Sequence, residues 1–284
     1  MDLQRCSQNI ACPHVKEAVS REQPKNPANA TGTRTASPNI QILFQQPVLH
    51  QMCTRYSLTS PVEAVRSYFR ADGVGAYPAR YNIAPTQPVL IVRAAQSGGR
   101  ELALVRWGLI PSWVKDPRAF STLVNARSET VADKPSFRGP LRHRRCLVPA
   151  DGYYEWTGRP GSKQPHLIRP KSEHGGHLMA MAGIWEHWLG ADGSELETLA
   201  ILTVGANITT AAVHDRMPVI VAPCDFDAWL DCSPGSAGPI RHVLRAAPDG
   251  LLEILAVNSR LNNYRNEGAD LWNVRDGVND TKLI

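Results

Sequence analysis

From residue 52 onward, short apolar runs alternate with turns that contain Gly and Pro. Runs of branched or apolar side chains are typical of β-strands, whereas apolar residues at helical spacing are typical of helices. The runs predict strands at residues 89–93, 102–107, 166–169, 177–184, 199–203, 219–221 and 252–257. Helical spacing predicts short helices at residues 61–69, 209–213, 224–230 and 240–244. Because strands dominate, we predict an α+β fold with a curled, mainly antiparallel, barrel-like sheet and short peripheral helices.

The first 51 residues differ in composition from the rest of the 284-residue chain. They contain prolines at positions 13, 24, 27, 38 and 47, a Ser/Thr/Asn/Ala stretch and one aromatic residue, Phe44. Such a composition buries little apolar surface and predicts disorder. We therefore divide the chain into an N-terminal extension, 1–51, and a catalytic domain, 52–284. The extension is either a disordered tail or the product of a start codon assigned too far upstream.

Basic residues cluster in one short stretch of a chain whose formal net charge is +5. Arg138, Arg142, Arg144 and Arg145 lie there together with His143. The cluster suits a polyanion, but basic runs are more often solvated faces, so charge alone leaves both interpretations open. The sequence has no apolar run long enough to cross a membrane and no secretory signal, so we expect a cytoplasmic protein without a membrane partner.

Six cysteines are scattered without the spacing of a disulfide scaffold, so we expect reduced thiols. Cys6, Cys12 and His14 could supply three metal ligands, but they lack a second close pair and lie in the extension. We therefore predict no metal and no cofactor.

Polar clusters interrupt the apolar sequence at residues 52–56, 124–130, 149–156 and 213–218, each where we expect a strand to end. They supply a thiol (Cys53), an amide (Asn125), a carboxylate flanked by aromatic residues (Glu155) and an imidazole (His214), a full set for covalent catalysis. Each residue also has an ordinary structural explanation. The thiol could be a small buried hydrophobe, the amide a helix cap, the carboxylate an ion-pair partner and the imidazole a satisfied core or surface group.

In this order, the clusters resemble the SOS response-associated peptidase (SRAP) family, whose members process abasic sites. The resemblance covers nearly all of residues 52 to about 270. It is carried by Met-Cys-x-Arg-Tyr (52–56), Arg-Tyr-Asn-Ile-Ala-Pro-Thr (80–86), Trp-Gly-Leu-Ile-Pro-Ser-Trp (107–113), Asn-Ala-Arg-x-Glu (125–129), Cys-Leu-Val-Pro-Ala-Asp-Gly-Tyr-Tyr-Glu-Trp (146–156), His-Asp-Arg-Met-Pro (214–218) and Val-Asn (257–258). One departure is Thr54, where the family commonly has Gly.

The resemblance implies that Met52 is removed and that Cys53 becomes the first residue of the mature chain. Its α-amine and thiol would then capture the ring-opened aldehyde of an abasic site in single-stranded DNA as a thiazolidine, with strand-cleaving lyase activity as a side path. Glu155 would shuttle protons during imine formation, ring closure and removal of Met52. His214 would protonate the sugar ring oxygen as it opens or assist strand cleavage and reversal, and Asn125 would position the amine or the sugar oxygen.

We expect Arg55, Arg127 and Arg216 to contact phosphates through their planar guanidinium groups. Trp113 lies on a Pro-Ser turn, where it could stack on a base or, as an alternative, belong to the core. The expected partner is single-stranded DNA containing abasic sites, and the expected state is a monomer that associates with the nucleoid when bound to DNA.

Two other functions fit parts of the pattern. A cysteine peptidase acting on proteins would pair Cys53 with His214 as thiol and base, but it would gain nothing from a nucleophile that directly follows a methionine. A noncatalytic binder of single-stranded DNA would use the Arg and Trp surface alone and would tolerate the loss of Cys53.

Overall fold

A computed structural model describes residues 54–174, 176–234 and 239–273. The predicted extension, the Cys6, Cys12 and His14 set, and the predicted nucleophile Cys53 lie outside these ranges. Within them, no helix has the length and apolar character needed to cross a membrane.

The described residues are mostly β-structure with a few short helices. The strands are β1 (Tyr56–Leu58), β2 (Asp72–Gly73), β3 (Arg80–Ile83), β4 (Pro88–Ala94), β5 (Arg100–Trp107), β6 (Asn125–Arg127), β7 (Arg145–Ala150), β8 (Gly152–Arg159), β9 (Ser162–Pro170), β10 (Met179–Leu189), β11 (Glu195–Gly205), β12 (Arg216–Pro218), β13 (Ile220–Val221) and β14 (Leu252–Ala256). The α-helices are α1 (Val62–Phe69), α2 (Pro135–His143), α3 (Ile208–Ala211) and α4 (Phe226–Leu230). Single 3₁₀ turns span Ser172–His174, Pro223–Asp225, Pro239–His242, Ser259–Asn262 and Ala269–Trp272.

Five strands close into a barrel in the order β11, β10, β7, β4 and β5. The neighbouring pairs are antiparallel except at the closure, where β5 runs parallel to β11 with Trp107 opposite Leu199. β7 is buried along its whole length, as expected of a strand that is covered on both faces. The barrel confirms the predicted α+β fold with a curled, mainly antiparallel sheet.

A second, antiparallel sheet has the strand order β14, β9, β8, β1 and β3. One face packs on the barrel, where Tyr56 of β1 meets Trp107 of β5 edge to face with ring centroids 5.3 Å apart. The opposite face carries Tyr154 and Leu167 and is covered by the 3₁₀ turns near the end of the described chain. The two sheets are joined covalently because β7 continues into β8 through a single residue, Asp151.

The buried carboxylate of Asp151 anchors the loop that follows β1. Its oxygens accept hydrogen bonds from the Thr59 hydroxyl (2.9 Å), the Ser60 backbone N–H (2.9 Å) and the Ser60 hydroxyl (2.5 Å), and also from the Thr59 backbone N–H. β1 is therefore attached both by its ladders and by this carboxylate, immediately before α1 begins.

The seven predicted strands are confirmed within a few residues, but β1, β2, β3, β6, β7, β8 and β12 were not predicted as strands. Residues 149–156 were interpreted as a polar cluster at a strand end, whereas they continue through both strands. Helix α2 was also missed because Gly139 and Pro140 are poor helix formers, yet Pro140 and Leu141 bury one face of the helix against the sheet.

The basic stretch does not act as a single solvated face. Arg145 is 1% exposed and donates hydrogen bonds to the backbone carbonyls of Trp229 (2.6 Å) and Leu141 (2.8 Å), and also to that of Asp231. Arg144 pairs with the buried carboxylate of Glu186 at 2.7 Å. Only the part of the stretch on α2 faces solvent, so the charge that could meet a polyanion is smaller than the sequence indicates.

Candidate active site

Glu155 lies on β8 next to the N-terminal end of β1. The β1–β8 ladder pairs Tyr56 with Tyr153, and the backbone N–H of Tyr154 donates to the Arg55 carbonyl at 3.0 Å. This bond continues the register to Arg55 and Tyr154. One residue further along the same register, Glu155 lies opposite Thr54, the first described residue. Glu155 is 3% exposed, so a buried acidic residue lies beside Thr54.

The face of β8 that carries Glu155 also carries polar groups from β9. Glu155 pairs with His166 across the β8–β9 ladder, and the ring of His166 lies 2.9 Å from the Thr157 hydroxyl. Burial lowers the pKa of His166, which favours the neutral ring. Sequence reasoning did not identify His166, because an isolated histidine in an apolar strand has no distinguishing signal.

The aromatic neighbours of Glu155 in the sequence do not surround its carboxylate. Successive side chains of a strand point to opposite faces, and Tyr154 and Trp156 pack in the outer cluster with Leu167 and Leu261. The interpretation of Glu155 as a carboxylate flanked by aromatic rings is therefore wrong in three dimensions.

Arg55 is held by groups of the protein itself. Its guanidinium donates to the Asn82 side-chain oxygen at 2.8 Å and to the Leu261 carbonyl at 3.2 Å. It also lies 5.8 Å from the ring centroids of both Trp156 and Tyr264. Burial lowers the pKa of Arg55, although two nearby tyrosines oppose that effect. The side chain thus ties β1 to the 3₁₀ turns that cover the outer face.

The clusters that contain Asn125 and His214 meet at the C-terminal end of β11. There β6 pairs in parallel with one edge of β11, with Arg127 opposite Thr203, and β12 pairs antiparallel with the other edge, with Arg216 opposite Gly205. Asn125 therefore lies in a strand, which rules out its interpretation as a helix cap. Arg127 is exposed and Asn125 is partly buried.

Arg216 and Glu129 form a bidentate ion pair across this end of the barrel. Its two bonds measure 2.6 Å and 2.9 Å, and the same guanidinium donates to the Thr203 carbonyl at 2.7 Å. Hydrogen bonding by Arg216 is the main reason that the pKa of Glu129 falls to about 2. Sequence reasoning assigned Glu129 no site role of its own, because a carboxylate in a polar run does not reveal its partner.

His214 follows α3 and precedes β12, and its side chain is 11% exposed. Its Nδ1 atom lies 3.0 Å from the backbone nitrogen of Arg216 and 2.9 Å from Oδ1 of Asp215. Both contacts cannot be hydrogen bonds at once, because Nδ1 accepts from an N–H only when unprotonated and donates to a carboxylate only when protonated. The hydrogen bond from the Arg216 backbone N–H to Nδ1 is therefore the one that the neutral ring makes.

Trp113 lies on the surface rather than in the core. The residue is 61% exposed, and its ring contacts Phe120 edge to face, with centroids 5.9 Å apart. A groove of about 220 Å³ separates its turn from α2, and Arg138 and Arg142 line the helix side. The structure thus places an exposed indole beside two exposed guanidinium groups.

The predicted site residues that the structure describes are carried by different elements. Glu155 and Arg55 belong to the second sheet, whereas Asn125, Arg127, His214 and Arg216 gather around the end of β11. Trp113 lies beside α2. Among the described residues, no group of three or more His, Cys, Asp or Glu side chains could hold a metal ion.

Comparison with known sequences finds one family. A sequence model described as SOS response associated peptidase (SRAP) matches residues 52–264. The chain is 36% identical over 224 residues to the abasic site processing protein YoqW of Bacillus subtilis (strain 168), a match that covers 78% of this chain and 98% of YoqW. It is also 36% identical over 222 residues to the abasic site processing protein HMCES of Gallus gallus. That match covers 68% of this chain and 65% of HMCES.

Solved structures with the same fold come from two bacteria. A crystal structure of a protein from Bacteroides thetaiotaomicron is 25% identical, with a TM-score of 0.63 over 73% of this chain and 93% of that protein. A crystal structure of a protein from Bordetella bronchiseptica is 27% identical, with a TM-score of 0.63 over 72% of this chain and all of that protein.

Proposed function

The chain belongs to the SOS response-associated peptidase family, and on that premise we propose that it processes abasic sites in DNA by capturing their ring-opened aldehyde covalently through Cys53. The relatives named above are abasic site processing proteins, which supports the class of substrate. The further steps, from the nucleophile to single-stranded DNA, are our inference from the residues of this chain.

The observation that carries the proposal is the β1–β8 ladder. Cys53 is bonded to Thr54, and the register of that ladder sets Thr54 opposite the buried Glu155. A carboxyl group beside a nucleophile can accept and return the protons that covalent capture requires. Geometry of this kind supports a catalytic role for Glu155 better than it supports a surface ion pair.

The proposed chemistry needs a free α-amine on Cys53. The amine adds to the aldehyde and water leaves to give an imine, and the thiol then adds to the imine carbon while its proton passes to nitrogen, closing a thiazolidine. An α-amine titrates near ~7.7–8.0, so much of it is nucleophilic at neutral pH. With Met52 still attached, the same nitrogen is a planar amide and neither step can occur.

We therefore propose that the active form begins at Cys53 and that residues 1–51 are not part of it. In that form Glu155 serves as the proton shuttle and His214 donates to the sugar ring oxygen. Asn125 positions the amine or the sugar through its amide. The exposed Arg127 supplies a phosphate contact, and the exposed ring of Trp113 offers a stacking surface for a base.

Crosslinking to abasic single-stranded DNA tests the proposal. Protein versions beginning at Met1 and at Met52 are incubated with the oligonucleotide, and adducts are resolved by denaturing electrophoresis while mass spectrometry identifies each N-terminus. We expect a stable adduct only where the N-terminus is Cys53. Full crosslinking by a chain proven by mass to begin at Met1 would refute the α-amine chemistry.

Two variants separate covalent capture from simple binding. Cys53→Ala should abolish the adduct while leaving noncovalent affinity for single-stranded DNA nearly unchanged, because affinity comes from phosphate and base contacts. Glu155→Gln should slow adduct formation by roughly 10²–10⁴-fold in a folded protein. Absence of any adduct from wild type with a verified Cys53 N-terminus would refute covalent capture and leave the cysteine peptidase and the noncovalent DNA binder as the alternatives.

A further inference from the structure

The ion pair between Glu129 and Arg216 joins three strands at the end of the barrel. Glu129 lies just beyond β6, Arg216 begins β12, and the Arg216 guanidinium also donates to the carbonyl and the hydroxyl of Thr203 on β11, at 2.7 Å and 3.3 Å. The Arg216 side chain is only 14% exposed. Both terminal guanidinium nitrogens donate hydrogen bonds to other groups of the protein, so the side chain connects neighbouring strands.

This pair has the features of a rigid contact. A bidentate bond between a guanidinium and a carboxylate fixes both distance and orientation. The pKa of Glu129, lowered to about 2 mainly by the hydrogen bonds from Arg216, keeps the carboxylate ionised under physiological conditions. The position of Arg216 is consequently determined by Glu129 as well as by the β11–β12 ladder.

The backbone of Arg216 in turn contacts the ring of His214. Its N–H donates to Nδ1 at 3.0 Å, while the His214 backbone N–H donates to the Thr210 carbonyl at 3.1 Å. The competing group, Oδ1 of Asp215, belongs to a side chain that is 88% exposed and can bond to Nδ1 only if that atom is protonated. The N–H is fixed by the ion pair and the ladder, whereas the Asp215 carboxylate is free to turn into solvent.

We infer that Glu129 is a positioning residue for His214: through Arg216 it holds a backbone N–H against Nδ1, which fixes the neutral imidazole as the Nε2–H tautomer. Nε2 makes no hydrogen bond to any residue that the structure describes. The ring therefore presents a donor to whatever binds beside it. The role of this donor rests on the proposed function, in which it donates to the sugar ring oxygen. The tautomer itself does not depend on DNA.

The tautomer can be measured in the full chain without DNA. Long-range ¹H–¹⁵N correlation spectra distinguish the two neutral tautomers, and the His214 signals are assigned by their loss in His214→Ala. We expect the Nε2–H pattern in wild type, a mixture of tautomers in Glu129→Ala, and an intermediate result in Glu129→Gln, which keeps the shape and one acceptor. Glu253→Gln is the matched control, because Glu253 pairs with Arg169 at 2.8 Å in the second sheet, which contains none of β6, β11 and β12.

Kinetics of the crosslinking-competent form give a second readout. Loss of the Glu129 carboxylate should slow the step that depends on His214 by roughly 10- to 100-fold, as misplacement of a catalytic group does, while affinity for single-stranded DNA stays within about twofold. Glu253→Gln should change neither quantity.

Either of two spectra would overturn the inference. One is an Nδ1–H tautomer in wild type, and the other is an unchanged tautomer in Glu129→Ala. If Glu129→Ala does not fold, the comparison of Glu129→Gln with wild type decides, with equal spectra counting against the inference. Failure of wild type to form an adduct would instead refute the proposed function and leave the spectra valid.

Discussion

Replacing Asp151 with Asn should loosen the attachment of β1, the strand that directly follows the proposed nucleophile. Asp151 is 2% exposed, and its carboxylate accepts four hydrogen bonds from the backbone and hydroxyl groups of Thr59 and Ser60. Three of them converge on one oxygen, Oδ2. Asn has almost the same shape, so the substitution changes charge and acceptor capacity without opening a cavity.

The expected loss follows from those four bonds. A hydrogen bond to a charged group contributes about 1.5–3 kcal/mol and a neutral one about 0.5–1.5 kcal/mol. The Asn carbonyl can take the place of Oδ2 and keep three bonds as neutral ones, and the Ser60 hydroxyl can rotate to accept from the new NH₂ group. The difference is about 1–1.5 kcal/mol per bond, and the contributions do not add in full because three of the four bonds share one oxygen. We therefore expect the free energy of unfolding to fall by about 2–4 kcal/mol, which corresponds to a drop in Tm of roughly 5–15 °C for a domain of this size.

Urea denaturation and thermal unfolding measure this loss directly. Asp192→Asn is the matched control, since Asp192 also accepts from a backbone N–H (3.0 Å) and a hydroxyl (2.6 Å), both of Ser194, but in a fully exposed turn. The control should unfold almost as wild type does. Equal Tm values for the two variants would refute the argument that burial of the carboxylate makes these bonds strong.

Three further predictions concern charged side chains. Arg145→Met should lower the free energy of unfolding by about 3–5 kcal/mol in chemical denaturation, because it leaves buried carbonyls without a donor; a loss below 1 kcal/mol would contradict that role. For Glu129, the folded-state pKa lies below the unfolded one, so its stabilising effect is complete above about pH 4.5 and is lost as pH falls toward about 2. The difference in free energy of unfolding between wild type and Glu129→Gln should therefore be constant from about pH 7 to 5 and decrease below about pH 4.5. A difference that increases on acidification would contradict the lowered pKa of Glu129. Arg127→Gln should weaken binding to single-stranded DNA and reduce the slope of log K against log salt by about 0.7, whereas an unchanged slope would exclude a phosphate contact.

Seven of the fourteen described strands and three of the four described α-helices were predictable, because they depend on neighbours in the sequence. The apolar spacing of Val62, Val65 and Phe69 marks α1, and these three side chains are the buried ones in the helix. Continuous runs of branched and apolar residues mark β4 and β11 in the same way. Prediction failed at β7 and β8, where the sequence changes from apolar to polar within a continuous pair of strands. It also failed at α2, where tertiary packing of Pro140 and Leu141 overrides weak helix propensity.

The types of chemical group at the candidate site were readable from the chain alone, because a thiol, an amide, a carboxylate and an imidazole in family order are properties of the residues themselves. Their partners were not, since a partner is a matter of long-range geometry. Only the fold brings Glu129 to Arg216, which lies 87 positions further along the chain, or Arg55 to the Leu261 carbonyl. The same holds for charge: four arginines look alike in the sequence, but burial and hydrogen bonding make Arg145 a structural residue and leave Arg138 and Arg142 at the surface. Tertiary structure decides such roles because the energy of a polar group depends on what replaces the water around it.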